Sequence, residues 1–166
     1  MKFYGLAVSV AALVLLAFSP ARAVGLDPAA ETVVLTVSGE IGVTNSGDAA
    51  EFDFALLESL PVFTLHTTTP WTDGEQVFEG VLMRDLMNQV EAAGTVLQAR
   101  ALNDYMIEIP VNDFEETDVI LAYRHNGERM TVRTKGPLWI VYPDDSGNPE
   151  AVHRMIWQLR TIEVVR

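Results

Sequence analysis

Three histidines, His66, His125 and His153, are the side chains of this sequence best suited by type to hold a metal or move a proton, and they lie far apart along the chain. Only the fold could bring them together as a three-histidine site; otherwise they are three independent polar positions. Two acidic runs offer oxygen ligands: "NDFEETD", with Asp113, Glu115, Glu116 and Asp118, and "DDSGNPE", which begins at Asp144. The second has the wrong spacing for a calcium hand, and the first reads as a solvated acidic turn. There is no cysteine, which excludes thiolate nucleophiles and thiolate metal ligands together. A Gly-x-Ser-x-Gly elbow, a Ser-x-x-Lys pair, a His-Glu-x-x-His helix and a glycine-rich phosphate loop are all missing. Each of those chemistries needs its residues at short fixed spacing, so these four motif-borne chemistries are not supported by the sequence. The segment "TKGPLWIVYPDD", Thr134 to Asp145, is the other candidate: a run of large apolar residues bracketed by Gly-Pro and Pro-Asp, either a buried strand or one that brings an aromatic surface to a site.

The elements that must position these groups begin after a leader. Lys2, the apolar run from Gly5 to Phe18 and the "ARA" ending at Ala23 read as a secretory signal peptide over residues 1–23. The apolar run is shorter than the roughly 20 residues of a spanning helix. No Arg-Arg pair precedes it, so export by the general route to the periplasm is expected, with residues 24–166 forming one domain. Without the leader the chain carries 9 basic and 23 acidic residues, a net charge of −14. Nucleic acid and anionic membrane surfaces are poor partners for such a charge.

Within that domain, β-branched "TVVLTVSGEIG" predicts a strand and "AEFDFALLESLP" a short helix ending at Pro61. "VFTLHTTT" predicts a strand and "GVLMRDLMNQVEAAG" the best amphipathic helix, with Leu82, Leu86 and Val90 on one stripe. "TVLQARA" and "YMIEIPV" predict strands, and "DVILAYRHNGERMTVRT" predicts two strands joined at Asn126-Gly127. "PLWIVY" is a further strand. The tail starts with helical spacing at Val152, Met155, Ile156 and Leu159 and ends as a strand. Mixed strands with few helices make an α+β fold.

In order along the chain, "TVSGEI", "LHTTTPWTD", "FEGVLMRDLM", "ALNDYMIEIP", "VILAYRHNGERM", "KGPLWIVYPDD" and "IWQLRTIEV" resemble the oxidoreductase molybdopterin-binding domain, the fold of the sulfite oxidase family. The resemblance runs from about Val33 to Val165 and implies a single mixed-sheet α+β domain with a pterin pocket built from loops at strand ends. In enzymes of that family a cysteine thiolate after the strand written here as "FTLHTTT" binds molybdenum, which puts the ligand position at or near Thr67. A neutral hydroxyl cannot replace a soft thiolate there. The family's enzymes also carry arginine within the segment written here as "GPLWIVYP", where this chain has Trp139. The resemblance therefore implies a pterin pocket without its molybdenum cofactor.

The residues it assigns to that pocket are His66, Thr67, Trp71, Asn103, Asp104, Tyr105, Lys135, Trp139 and Asp144, with no catalytic or metal-binding residue. Trp139 and Tyr142 stand three apart on a strand, so at most one faces the pocket, and Trp139 is preferred; the alternative is that Trp139 is core. Asp104 and Asp144 match the amino edge of a pterin, or are ordinary turn residues. Metal-free relatives control membrane enzymes of cyclic-di-GMP metabolism, which implies a periplasmic pterin-binding protein that reports occupancy to an inner-membrane signalling protein. A molybdopterin oxidoreductase with atypical metal coordination and an interaction domain with a vestigial pocket are the alternatives.

Overall fold

Alternation of apolar and polar residues makes "LTVSG" a strand, β1 (Leu35–Gly39), in which Leu35 and Val37 are buried and the residues between them only partly so. The computed structural model describes residues 25–166, so the expected leader lies outside the described residues. Strand β2 (Ala50–Phe52) follows and stops at Asp53, which caps helix α1 (Phe54–Glu58). The Asp53 carboxylate accepts from the backbone N–H of Leu56 at 2.8 Å and from those of Ala30 and Glu31 at 2.8 and 2.9 Å. One side chain thus serves a helix start and pins the chain that leads into the domain. Its capping role also explains why the expected helix over "AEFDFALLESLP" is half strand.

After β3 (Val62–Thr67) the turn carrying Pro70 and Trp71 leads to β4 (Gln76–Leu82) and α2 (Met83–Gln89). Of the predicted stripe, Leu86 lies in α2, Val90 is its C-cap and Leu82 ends β4; all three are buried, together with Met83 and Met87, while Gly80 to Leu82 belong to β4. Gly80 explains the difference: a Cβ there would collide with the carbonyl oxygen of Leu121 on the neighbouring strand, so this glycine permits a close strand crossing. Strands β5 (Val96–Ala101) and β6 (Met106–Pro110) form a hairpin; α3 (Asp113–Glu116) is one turn. Strand β7 (Ile120–His125) turns back through Asn126 and Gly127, both at positive φ (51° and 82°), into β8 (Glu128–Arg129). The predicted second arm ends early: Val132–Thr134 is a 3-10 turn whose cap is the Thr131–Thr134 box.

Strand β9 (Trp139–Val141) is followed by a 3-10 turn (Ala151–Arg154), then β10 (Ile156–Trp157) and β11 (Leu159–Val165). The helix suggested by the spacing of Val152, Met155, Ile156 and Leu159 is therefore not formed. Pairing of Ile156 and Trp157 with β9, and of Leu159 to Val165 with β5, outweighs the local helical pattern. Gln158 at φ 54° lets the chain change sheets between β10 and β11.

Two sheets result. One has the order β2-β1-β11-β5-β6, with β1 parallel to β11 and the other neighbours antiparallel; the other has the order β10-β9-β7-β4-β3, with β8 on β7, and is antiparallel throughout. A single apolar cluster joins them: Val37, Phe52, Leu97 and Ile162 from the first sheet meet Phe78, Leu121, Trp139 and Ile140 from the second. Two sheets and three short helices make the α+β class expected from the sequence.

Candidate functional site

Three chain segments converge on one cleft. The β3–β4 turn supplies Pro70 and Trp71, the β5–β6 turn supplies Asn103 and Tyr105, and the chain through the second 3-10 turn into β10 supplies Val152, His153, Met155 and Trp157. The cleft encloses about 540 Å³, within the roughly 300–1,000 Å³ of small-molecule sites. Its walls are mainly aromatic and aliphatic. Trp71 stands edge-on to Trp157, with ring centroids 5.1 Å apart and planes at 72°. Behind them Trp139 lies 6.1 Å from Trp157 and 6.3 Å from Trp71, and packs edge-on against Phe78 at 5.2 Å. Polar groups at the cleft are few: the Asn103 amide, the Tyr105 hydroxyl and the His153 imidazole. That composition suits a flat ring with a hydrogen-bonding edge.

The sequence-predicted residues separate into three groups. Trp71, Asn103 and Tyr105 line the cleft; Tyr105 is 57 % exposed, and its backbone N–H is fixed by Asn103 Oδ1 at 3.2 Å. Trp139 does not line the cleft. It is completely buried, as is Tyr142, because strand β9 runs between β7 and β10 with both faces covered. Its indole N–H, also buried, has no acceptor among the described residues. Thr67 is likewise enclosed: its hydroxyl accepts from the backbone N–H of Asp144 at 2.8 Å and reaches the carbonyl oxygens of Thr68 and Tyr142, so it ties β3 to the loop after β9.

The remaining four stand apart from the cleft lining. His66 points outward from β3 and lies 3.5 Å from Glu75. Asp104 sits in a left-handed turn (φ 65°), 3.9 Å from Arg160. Lys135, also left-handed (φ 68°), holds its ammonium 4.7 Å from the Trp157 ring and 5.7 Å from the Trp139 ring. Asp144 lies across the Pro70 ridge in a neighbouring depression, where it accepts from the Thr68 N–H and hydroxyl at 3.1 and 2.8 Å. Those bonds hold its carboxyl below the usual carboxylate range.

Trp157 is a cleft residue the sequence did not point to, and His153, one of the three candidate metal-binding histidines, lines the cleft rather than joining a histidine cluster among the described residues. Both fall where the tail looked helical; the available signal was a tryptophan beside Gln158, at the point where the chain changes sheets. Asp113 stands in a run whose composition predicts a solvated turn, yet it is a hub. It accepts from Tyr142 Oη at 2.7 Å, from Arg154 Nη1 at 2.7 and 3.0 Å, and from Asn148 Nδ2 at 3.3 Å. Burial first, and then the bond to Asp113, push the Tyr142 phenol far above its ordinary value, so it stays a donor. Through Arg154 this hub anchors the 3-10 turn that forms one cleft wall. His125, stacked on Phe78 at 4.7 Å, donates to or accepts from Gln76 Oε1 at 2.8 Å; burial and then Lys135 hold its imidazole below the ordinary histidine range.

With this geometry in place, the class is fixed by comparison: the chain belongs to the oxidoreductase molybdopterin-binding domain family, whose pattern matches residues 53–164. Part of it is 33 % identical over 82 residues to an uncharacterized oxidoreductase, YuiH, of Bacillus subtilis (strain 168), covering 48 % of this chain and 41 % of that protein. The chain thus spans less than half the length of that relative. The family's cofactor is a pterin that carries molybdenum, and the two parts fare differently here. The aromatic cleft fits a pterin ring. The position expected for the metal ligand offers a buried, already bonded threonine hydroxyl, and no cluster of His, Asp or Glu among the described residues is arranged to hold a metal. The donor set therefore does not match molybdenum–thiolate binding.

Proposed function

We propose that this protein binds a pterin-type heterocycle without catalysing oxo transfer, and that it acts in the periplasm as an occupancy sensor for an inner-membrane signalling protein. One observation carries the reading: an aromatic cleft of small-molecule size is walled by Trp71, Trp157 and Tyr105, while the position the resemblance assigns to the metal ligand is a threonine whose hydroxyl is committed to the loop after β9. Stacking on indole and edge hydrogen bonds from Asn103 and His153 suffice for a flat ligand and need no metal. The leader-like residues 1–23 support export, and no described helix is long and apolar enough to cross a membrane. The Asp113–Arg154 pair connects the cleft wall to the exposed turn α3, which supports a route from occupancy to the surface. A metal-dependent oxidoreductase with atypical coordination is the second reading, favoured by the similarity to the uncharacterized Bacillus subtilis oxidoreductase YuiH.

The test is elemental analysis together with mass spectrometry of small molecules released from protein purified from its native compartment. The expected result is a pterin and no stoichiometric molybdenum. About one molybdenum per chain would restore the second reading, and no pterin under any condition would leave the cleft vestigial.

A further inference from the structure

We propose that β3 is a docking edge that accepts an extended, lysine- or arginine-bearing segment of another protein as an added strand. The proposal is independent of the cleft and rests on how the four sheet edges differ. An open edge strand invites pairing, and proteins blunt such edges with short strands, charges, proline or bulges. Three of the edges here are blunted. Strand β2 has 3 residues and carries Glu51, β10 has 2 residues, and β6 carries Glu108 and ends in Pro110. Strand β3 has none of these devices. Its 6 residues, "VFTLHT", contain no acid, lysine, arginine or proline, and pair with β4 in unbroken register from Val62↔Val81 to Thr67↔Gln76. Among the described residues, no backbone group of Val62 to Thr67 bonds outside that pairing. Val62, Thr64 and His66 project outward, and Val62 is 58 % exposed.

The chemistry of the occupant follows from what borders the strand. Leu65 and His66 form one side of a depression of about 410 Å³ whose other side carries Glu116, Asp118, Asp144 and Asp145. Asp118 is paired with Arg84 at 2.6 Å, Asp144 is bonded to Thr68 and Glu116 accepts from the Asn112 amide at 3.0 Å, so Glu116 and Asp145 are exposed with no cation in ion-pair distance among the described residues. In an added strand, alternate side chains fall on one face, so basic residues at every second position would meet these carboxylates while the backbone completes the ladder. A second copy of this chain is the wrong occupant, because pairing β3 with itself would bring two such acidic depressions together in a protein of net charge −12.

The experiment is a backbone-amide NMR titration of the purified protein with acetyl-Val-Lys-Val-Lys-Val-Lys-amide. Controls are the Val-Glu counterpart, the Val-Lys peptide N-methylated at alternate amides, and a Glu116→Lys/Asp145→Lys variant, both positions being exposed. The expected result is saturable shifts confined to Val62–Thr67 and the neighbouring acidic loop with the Val-Lys peptide alone. The charge-reversed variant should bind about fivefold or more weakly, as loss of two exposed ion pairs implies. Four results would overturn the proposal: no shifts at β3, equal shifts with the Val-Glu peptide, slow hydrogen exchange of every β3 amide in the free protein, or sedimentation showing a dimer that Thr64→Lys abolishes.

Discussion

Replacing Asp113 by alanine removes one carboxylate and leaves three donors without their acceptor. Tyr142 is wholly buried, and its hydroxyl would lose its only partner among the described residues, at a cost of about 1–3 kcal/mol. Arg154 and Asp113 expose only 24 % and 12 % of their side chains, so this charge-assisted pair is worth about 1.5–3 kcal/mol, discounted because the guanidinium can recover some water. The Asn148 bond, at 3.3 Å, is long and adds little. Allowing for overlap, Asp113→Ala should destabilise the fold by about 3–4 kcal/mol. Tyr142→Phe should cost only about 1 kcal/mol, because Asp113 keeps Arg154. Urea unfolding followed by tryptophan fluorescence measures both; at a slope of about 2 kcal/mol/M the alanine variant shifts the midpoint by about 1.5–2 M. The 3-10 turn anchored by Arg154 forms a cleft wall, so pterin affinity should fall in the same variant under native conditions. If Asp113→Ala costs no more than Tyr142→Phe, the hub is not structural and the proposed link from cleft to surface is lost.

Other substitutions separate cleft from core. Trp139→Ala should destabilise by about 3–5 kcal/mol, the range for a buried large aromatic, whereas Trp71→Ala, at a position 37 % exposed, should fold nearly normally; calorimetry distinguishes them. Thr67→Val should cost about 1 kcal/mol in urea unfolding and Thr67→Ser almost nothing, because what is at stake is the hydroxyl's bond to the Asp144 N–H and its long contacts to the Thr68 and Tyr142 carbonyls, all of which serine keeps. The backbone donors of Leu56, then Glu31, hold the Asp53 carboxyl below its unfolded value. Its stabilisation is therefore complete above the unfolded pKa of about 3.9 and is lost as pH falls through the folded one. Asp53→Asn should be less stable than the parent at pH 7 and show a flatter loss in acid. His125 is a base with a lowered pKa, so its contribution should begin to fade as pH drops below about 6.5; His125→Gln should remove that part of a stability profile taken from pH 7 to 5.

Much of the fold was legible because local chemistry and final pairing agree. Asn126-Gly127 accepts the two positive φ angles of its turn, and the stripe on α2 is the stripe it buries. Two kinds of residue were not legible. Period-two alternation cannot say which face of "PLWIVY" is core when Leu138 to Tyr142 are buried on both, and the resemblance, which places a contact residue at Trp139, gives no sign of that burial. Trp157, which lines the cleft, sat inside a helical spacing that pairing with β9 overrules. Asp113 looked like any acid in a solvated run, since its partners Tyr142, Asn148 and Arg154 lie 29 to 41 residues away. The cleft was half visible: the Trp71 turn and the Asn103–Tyr105 turn were found, and the wall built from the tail was not.

The most direct test of the central claim is equilibrium titration of a pterin into the metal-free protein, read by quenching of tryptophan emission and compared between the parent and Trp157→Ala. Loss of one stacking partner corresponds to about a tenfold weaker affinity or more. The expected result is saturable one-to-one binding by the parent without added molybdenum, and binding at least about tenfold weaker by a Trp157→Ala variant whose circular dichroism is unchanged. Binding that appears only when molybdenum cofactor is supplied, or that is equally tight in the folded Trp157→Ala variant, would contradict it.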